Sequence, residues 1–479
     1  MPDHVLGIDI GLTGVRAAVV RQDGELLGGG RRDHTRAVLA EGRAEHDPAD
    51  WLDGMAAATH AALARAGGVR PAALGIAALG PAPVLVDRGL EPLTPALLFS
   101  LDRRAEPQRR GMVGDLSATA ALATGDNALP KLAWWREHVP EVFARAAWGL
   151  DATGFLVGWC TGVPVMDTVT AADYALPGVR APVPLPVPIA PTALAGRLRE
   201  RPARRLGLEP GLPVTAGTYD SFADLAAAGV RAPRDAGIVL GSTVIVARVA
   251  AGTPAPPPGL ASATYPGDGI LLGGWTLSGG SVLDWCARTL GDDRRGNGLA
   301  AAAAHMPPGA GGLVALPFFA GERTPVWDAD ASGLVLGLTL RTRPAELYRA
   351  LVDALALAAG EHAERLAQAL GPCPRWRVTG GGTRNPTWLQ ATADVLGAPL
   401  DVAAAAGEAM GPALLALRAL GHDPARPAAR TVAPDPARQR RCSALAAIYR
   451  DLHPRLAPAM HALRHLDRDP DLDRQEPEP

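Results

Sequence analysis

Apolar residues recur along this chain with two periods, and the switches between them mark its elements. Residues 5–10 and 16–21 read as strands around the turn Gly11-Leu12-Thr13-Gly14, and the Asp23-Gly24 turn leads into a third. A helix follows, with Asp47 as N-cap, Pro48 at its first position and an alanine-rich run from Trp51 to about Arg65. Leu74 to Leu79 then reads as a buried strand. Prolines at 182, 184, 186, 188 and 191 forbid regular helix over 179–192, which is predicted to be an extended surface crossing. Later, Pro344 opens a long helix with Leu347, Leu351, Leu355 and Ala358 along one face, a core stripe. The closing residues 464–479, charged and proline-bearing from Asp467 on, read as a mobile tail.

Candidate chemistry sits where strands end in glycine. After the first strand come Asp9, Gly11, Thr13 and Gly14. Near the middle, Ala236-Gly237-Ile238-Val239-Leu240 runs into Gly241-Ser242-Thr243 and a second β-branched strand, so the two hairpins look like duplicates. A third strand, Arg375 to Thr379, runs into Gly380-Gly381-Gly382, and Asn385-Pro386 opens a helix. Such turns present backbone N–H groups, and a helix N-terminus adds partial positive charge, so all three suit phosphate oxygens. Asp9 is placed to hold a Mg²⁺ ion beside them.

Composition narrows the function classes. The 479 residues suggest two or three domains, and 48% apolar content allows large cores. The net charge of −2, from 47 basic and 49 acidic residues well mixed, leaves no electrostatic footprint for nucleic acid or an anionic membrane. No apolar run is long enough to span a bilayer and no basic, hydrophobic leader opens the chain, so a cytoplasmic protein acting on a small molecule is expected. Cys160, Cys286, Cys373 and Cys442 are scattered without a metal or redox motif. Lys131 is the only lysine; it stands near a substrate or interdomain cleft, or is a surface cation at a helix start. It lacks the glycine loop of a P-loop, and motifs of zinc proteases, serine hydrolases and Rossmann domains are absent.

Together these segments resemble the FGGY sugar kinases, within the actin, hexokinase and Hsp70 ATPase superfamily. The likeness covers nearly the whole chain. It is carried by the three glycine turns and by Pro130 to His138, Ala216-Gly217-Thr218-Tyr219-Asp220-Ser221, Gly321-Glu322-Arg323-Thr324-Pro325 and Gln390 to Gly397, in family order. The resemblance implies an α/β fold of two ribonuclease H-like domains, 1–235 and 236–463, with a nucleotide and substrate cleft between them. It implies an ATP- and Mg²⁺-dependent kinase of a ketose or polyol, xylulokinase-like, with a homodimer as the assembly to test. A sensor that binds sugar or nucleotide without turnover is the alternative.

The resemblance also distributes roles. Asp220 would be the general base, its other reading being a helix cap. Asp9 would hold Mg²⁺. Gly11, Thr13 and Gly14 would face the γ-phosphate, and Gly241, Ser242 and Thr243 the β- and γ-phosphates. Gly380, Gly381 and Gly382 would lie beside the α-phosphate and ribose, with Asn385 toward the adenosine. Asp102 and Arg104 match an Asp-x-Arg element near the sugar pocket, or form a structural ion pair. Arg16 replaces a common lysine, and Glu322 and Arg323 read as a structural loop. Two departures bear on substrate: Leu79 stands where relatives have glutamine, and Ser332 where they have arginine. The first removes a sugar hydrogen bond.

Overall fold

A computed structural model describes residues 4–467 except 36, 41, 113–126, 253, 266–268, 293–296, 405–407 and 425–427. In the first half, β1 (His4–Ile10), β2 (Gly14–Arg21) and β3 (Leu26–Asp33) form an antiparallel meander. Helix α1 (Pro48–Arg65) then returns the chain so that β4 (Leu74–Ala78) lies parallel to β1. Asp47 caps α1 as expected, its carboxylate accepting the Ala49 N–H at 2.8 Å. The glycines of β3 are the floor on which α1 rests: a Cβ on Gly30 would come within 1.9 Å of the Ala58 carbonyl. Strands β5 (Leu194–Arg197), β6 (Pro213–Thr215) and β7 (Thr218–Tyr219) complete a sheet of order β5-β6-β4-β1-β2-β3, with β7 also beside β4.

The second half repeats the theme. β8 (Ala236–Leu240) and β9 (Val244–Ala250) are a hairpin, and β12 (Trp376–Thr379) lies parallel to β8 as β4 does to β1. With β10 (Ala261–Thr264), β11 (Ile270–Trp275), β13 (Leu400–Ala403) and β14 (Ala428–Val432) the sheet order is β10-β11-β9-β8-β12-β13-β14. The hairpins are duplicates in topology but not in turn length: Ile10 pairs with Val15, whereas Leu240 pairs with Val244.

Helix α2 (Leu129–His138) lies in the first half, and α3 (Asp220–Ala227) follows β7 directly. Helix α4 (Pro344–Leu370) starts at Pro344 as predicted, but it is buried around most of its girth from Tyr348 to Ala359, not along one face. Helices α5 (Pro386–Leu396), α6 (Met410–Ala419) and α7 (Pro436–Asp467) follow. Helix α6 packs on β1, β4 and α3. The 179–192 stretch is irregular apart from Pro188–Ile189, but it is not wholly superficial, because Val183 is buried beside α2. Residues 464–467 of the expected tail continue α7, and 468–479 lie outside the described residues. The cysteines are unpaired, three of them buried.

Candidate active site

The glycine turns of both halves open on one cavity of ≈ 510 Å³, walled by Asp9, Gly11, Thr13, Arg16, Leu79, Asp220, Gly241, Ser242, Thr243, Gly380 and Gly381 among others. Each hairpin turn is closed from within: the Gly11 N–H donates to the Gly14 carbonyl and the Gly241 N–H to the Thr243 carbonyl, both at 3.0 Å. His34, just after β3, holds the first turn from outside. Its N–H donates to the Thr13 carbonyl at 3.0 Å, and its Nε2 lies 2.9 Å from the Gly11 carbonyl. Burial pushes the His34 imidazolium toward its neutral form, and because a carbonyl only accepts, Nε2 carries the proton. A Cβ on Gly11 would meet nothing closer than 3.6 Å, so packing does not demand this glycine; its absent side chain leaves a cradle at the turn.

Asp220 reaches the cavity because the backbone before it is unusually constrained. Gly217 has φ +75°, and a Cβ there would lie 2.1 Å from the Ile76 carbonyl. Thr218 is then fixed by its hydroxyl to Asp167 at 2.9 Å, and Tyr219 by its own to Asp173 at 2.9 Å. Asp220 is the first residue of α3, with Tyr219 at the cap position. Its Oδ1 accepts the Ser221 N–H at 2.6 Å, which anchors the carboxylate at the positive end of the helix.

The charges are few and concentrated. Arg16 pairs with Asp9 at 2.7 Å, directly across the β1–β2 ladder. Asp9 is 2% exposed, and its Oδ1 has no hydrogen-bond partner among the described residues. Burial raises the Asp9 pKa despite Arg16. Asp220 is pushed up to about 7, first by burial and then by the Asp9 charge. A third carboxylate, Asp224, stands one turn along α3 and also lines the cavity. Burial and its two neighbours drive its pKa well upward, opposed by Arg16 and by a hydrogen bond from the Gly411 N–H at the start of α6. No group of three potential ligand residues among those described could hold a metal as a protein cage. One unpartnered carboxylate oxygen beside two glycine turns instead fits Mg²⁺, which keeps waters and substrate oxygens in its shell.

Several expected residues lie elsewhere. Gly14 crosses β3, where a Cβ would sit 2.5 Å from the Arg32 carbonyl. Gly382 lies against the Trp388 ring, and Asn385 caps α5, accepting the Trp388 N–H at 3.1 Å and donating to the Tyr348 hydroxyl at 2.9 Å. The buried Asp102 and the half-buried Arg104 form an ion pair at 2.7 Å, extended to Glu45 and the Ala44 N–H. Asp102 lines a second, smaller cavity of ≈ 30 Å³ with Lys131 and Glu322. Lys131 is not a surface cation. It is 2% exposed, and its ammonium donates to the carbonyls of Leu98 and Phe99, fixing the segment that brings Phe99 to the main cavity. Glu322 is structural as expected, accepting the N–H groups of Leu277 at 2.6 Å and Arg323 at 2.7 Å. Arg323 itself lines the main cavity, against expectation, while Ser332 does not.

Sequence reasoning missed Asp224, Trp275 and Trp327. The first carried a signal: it is the only charge in α3 after Asp220 and lies four residues on, hence on the same face. Trp327 left none, because it enters the cavity through a left-handed backbone, φ +53°, that no local pattern announces.

Comparison with known proteins agrees with this geometry. The model of the N-terminal domain of the FGGY family of carbohydrate kinases matches residues 4–227, and that of its C-terminal domain matches 236–420. The chain is 27% identical to a xylulose kinase of Bacillus subtilis over 86% of its length and 87% of that protein's. It is 28% identical to a glycerol kinase of Aromatoleum aromaticum, with 83% and 86% covered. Among solved structures it is similar to xylulose kinase from Rhodospirillum rubrum, with TM-score 0.79 and 28% identity over 96% of this chain and all of that one. No helix among the described residues is long and apolar enough to cross a membrane.

Proposed function

The chain belongs to the FGGY family of carbohydrate kinases, and from that premise we propose that it transfers the γ-phosphoryl group of ATP to a hydroxyl of a ketose or polyol, with Asp220 as general base. The observation that carries the assignment is the position of Asp220: a carboxylate pushed up to about 7, at a helix start, in the cavity on which both phosphate hairpins open. A base of that strength takes a proton near neutral pH while its conjugate acid remains stable in the site.

In the step we assign, the substrate hydroxyl oxygen bonds to the γ-phosphorus and the bond from that phosphorus to the bridging oxygen of ADP breaks. The hydroxyl proton passes to Asp220. Thr13 on one side, and Ser242 and Thr243 on the other, orient the triphosphate through backbone N–H groups and hydroxyls, while Gly11 and Gly241, whose own N–H groups close their turns, leave it room. Arg16 holds Asp9 in place, and Asp9 would hold Mg²⁺, which when bound neutralises charge on the phosphate oxygens. Because the two hairpins come from different sheets, domain closure would assemble the site and exclude water.

The test is ADP release by the purified chain with Mg²⁺-ATP across pentuloses, hexuloses, pentitols and glycerol, with Asp220→Asn as control. Sugar-stimulated release that the variant loses is expected. A folded variant with full sugar-dependent activity would remove Asp220 from the role.

A further inference from the structure

Resting on that kinase reading, we propose that His453 and His461 of α7 are positioning residues for the reaction: through Asp328 they hold the loop that carries Arg323 and Trp327 into the cavity. The two imidazoles converge on one atom. His453 Nε2 lies 2.9 Å and His461 Nε2 2.8 Å from Oδ2 of Asp328, while its Oδ1 accepts the Asp330 N–H at 3.0 Å. Burial opposes the charge of Asp328, but these donors hold its carboxyl well below the usual carboxylate range. An ionised carboxylate only accepts, so both Nε2 atoms carry protons and donate. Both histidines lie beyond residues 236–420, which the family model of the C-terminal domain matches.

The loop needs such a clasp because of the residue before Asp328. Trp327 has a left-handed backbone, φ +53°, which a bulky side chain keeps only where its surroundings fix it. Bonds from Glu322 to the Leu277 N–H and from Thr324 to the Trp275 N–H fix the start of the loop. Beyond Trp327 it is tied outward on two sides. Arg103 of the first half reaches Asp330 at 3.2 Å, and α7 brings His453, largely buried and edge-on to Phe318 at 5.6 Å, against Asp328. Arg323, 5.9 Å from the centre of the Phe99 ring, and Trp327 line the cavity from between these ties. A helix remote from the phosphate turns thereby sets two groups of the cavity wall.

The experiment measures ADP release with Mg²⁺-ATP and the best acceptor among pentuloses, hexuloses, pentitols and glycerol, in the wild type, His453→Leu, His453→Gln, His461→Leu and Arg450→Gln, beside urea unfolding of each. His453→Leu should lower kcat/KM for the acceptor by about 10- to 100-fold, the penalty of an ångström-scale misplacement, and leave the KM for Mg²⁺-ATP near the wild-type value because both hairpins are untouched. His453→Gln, whose amide N–H reaches as far as Nε2, should restore most of the loss. His461 is 44% exposed, so His461→Leu should fold even if His453→Leu does not, and should show a smaller fall in the same sense. Arg450→Gln breaks a different contact of α7, the 2.6 Å pair with Glu364 of α4, and should leave kcat/KM unchanged. Full kcat/KM in the folded leucine variants, whatever their urea midpoints, overturns the proposal and leaves the kinase reading standing. An equal fall in Arg450→Gln also overturns it, because general docking of α7 would then be the cause. A wild type that releases ADP with none of the acceptors overturns both readings together.

Discussion

The base role proposed for Asp220 rests on surroundings that oppose its charge. Burial and the negative Asp9 raise its pKa, while the Ser221 N–H and Arg16 restrain the rise. The sign of the pH dependence follows: the ionised form is the active one, so kcat/KM should climb as pH rises through about 7 and fall below it. Since Asp9 and Asp224 titrate within the same cluster, the observed midpoint belongs to the group and not to one residue. Asp220→Asn should lower kcat by about 10² to 10⁴ and abolish the acidic limb. An unchanged limb in the residual activity would place the titrating group elsewhere. Asp9 was legible because its strand runs straight into the Gly11 turn, and Asp220 because the segment from Gly217 leads straight into the helix it opens. Arg323 and Trp275 were not, because a residue on a remote loop or strand reaches a cavity only through tertiary packing.

At the scale of elements, local chemistry predicted well where it acts locally. Asp47 with Pro48, and Asn385 with Pro386, start helices where capping demands. It failed where burial reverses an ordinary preference, as for Lys131, or where a loop is held by distant strands. The loop after Gly321 is such a case. Glu322 and Asp328 exchange backbone hydrogen bonds at 2.8 and 2.9 Å, Thr324 is tied to Trp275 of β11, and Glu322 accepts two N–H groups while burial pushes its pKa up to about 8. The folded state therefore holds the Glu322 proton more tightly than the unfolded chain, whose value is near 4.5. Stability from this group is complete below that value and is lost as pH rises through about 8. Urea unfolding at about pH 5.5 and about pH 8 should show the wild type losing a few kcal/mol more than Glu322→Gln, which keeps an acceptor without a charge to bury. Parallel losses in the two proteins would count against a protonated Glu322.

Across the whole molecule, the two halves of the sequence are joined by a seam that glycine makes possible. Helix α6 belongs to the second half by sequence, yet it lies on β1, β4 and α3 of the first. A Cβ on Gly7 would come within 2.4 Å of the Ala413 nitrogen, one on Gly75 within 1.9 Å of the Pro412 carbonyl, and one on Gly411 within 2.6 Å of the Ala223 carbonyl carbon. Nothing along the chain marks these as contacts, since a glycine in a strand has no local signature of what approaches it. The seam also reaches the chemistry, because α6 gives its Gly411 N–H to Asp224, one turn from Asp220. Gly75→Ala must push α6 off the sheet against backbone, not against a yielding side chain. It should cost about 1–3 kcal/mol, read as a lower urea midpoint with unchanged m-value. It should also lower kcat by about 10- to 100-fold through displacement of α3, the penalty of an ångström-scale misplacement. Gly111→Ala is the control: a Cβ there meets nothing within 4 Å, so it should leave both quantities unchanged or raise stability slightly. If Gly75→Ala lost stability but kept full kcat, the seam would be packing alone, and the position of Asp220 would depend on β7 and Gly217 without help from α6.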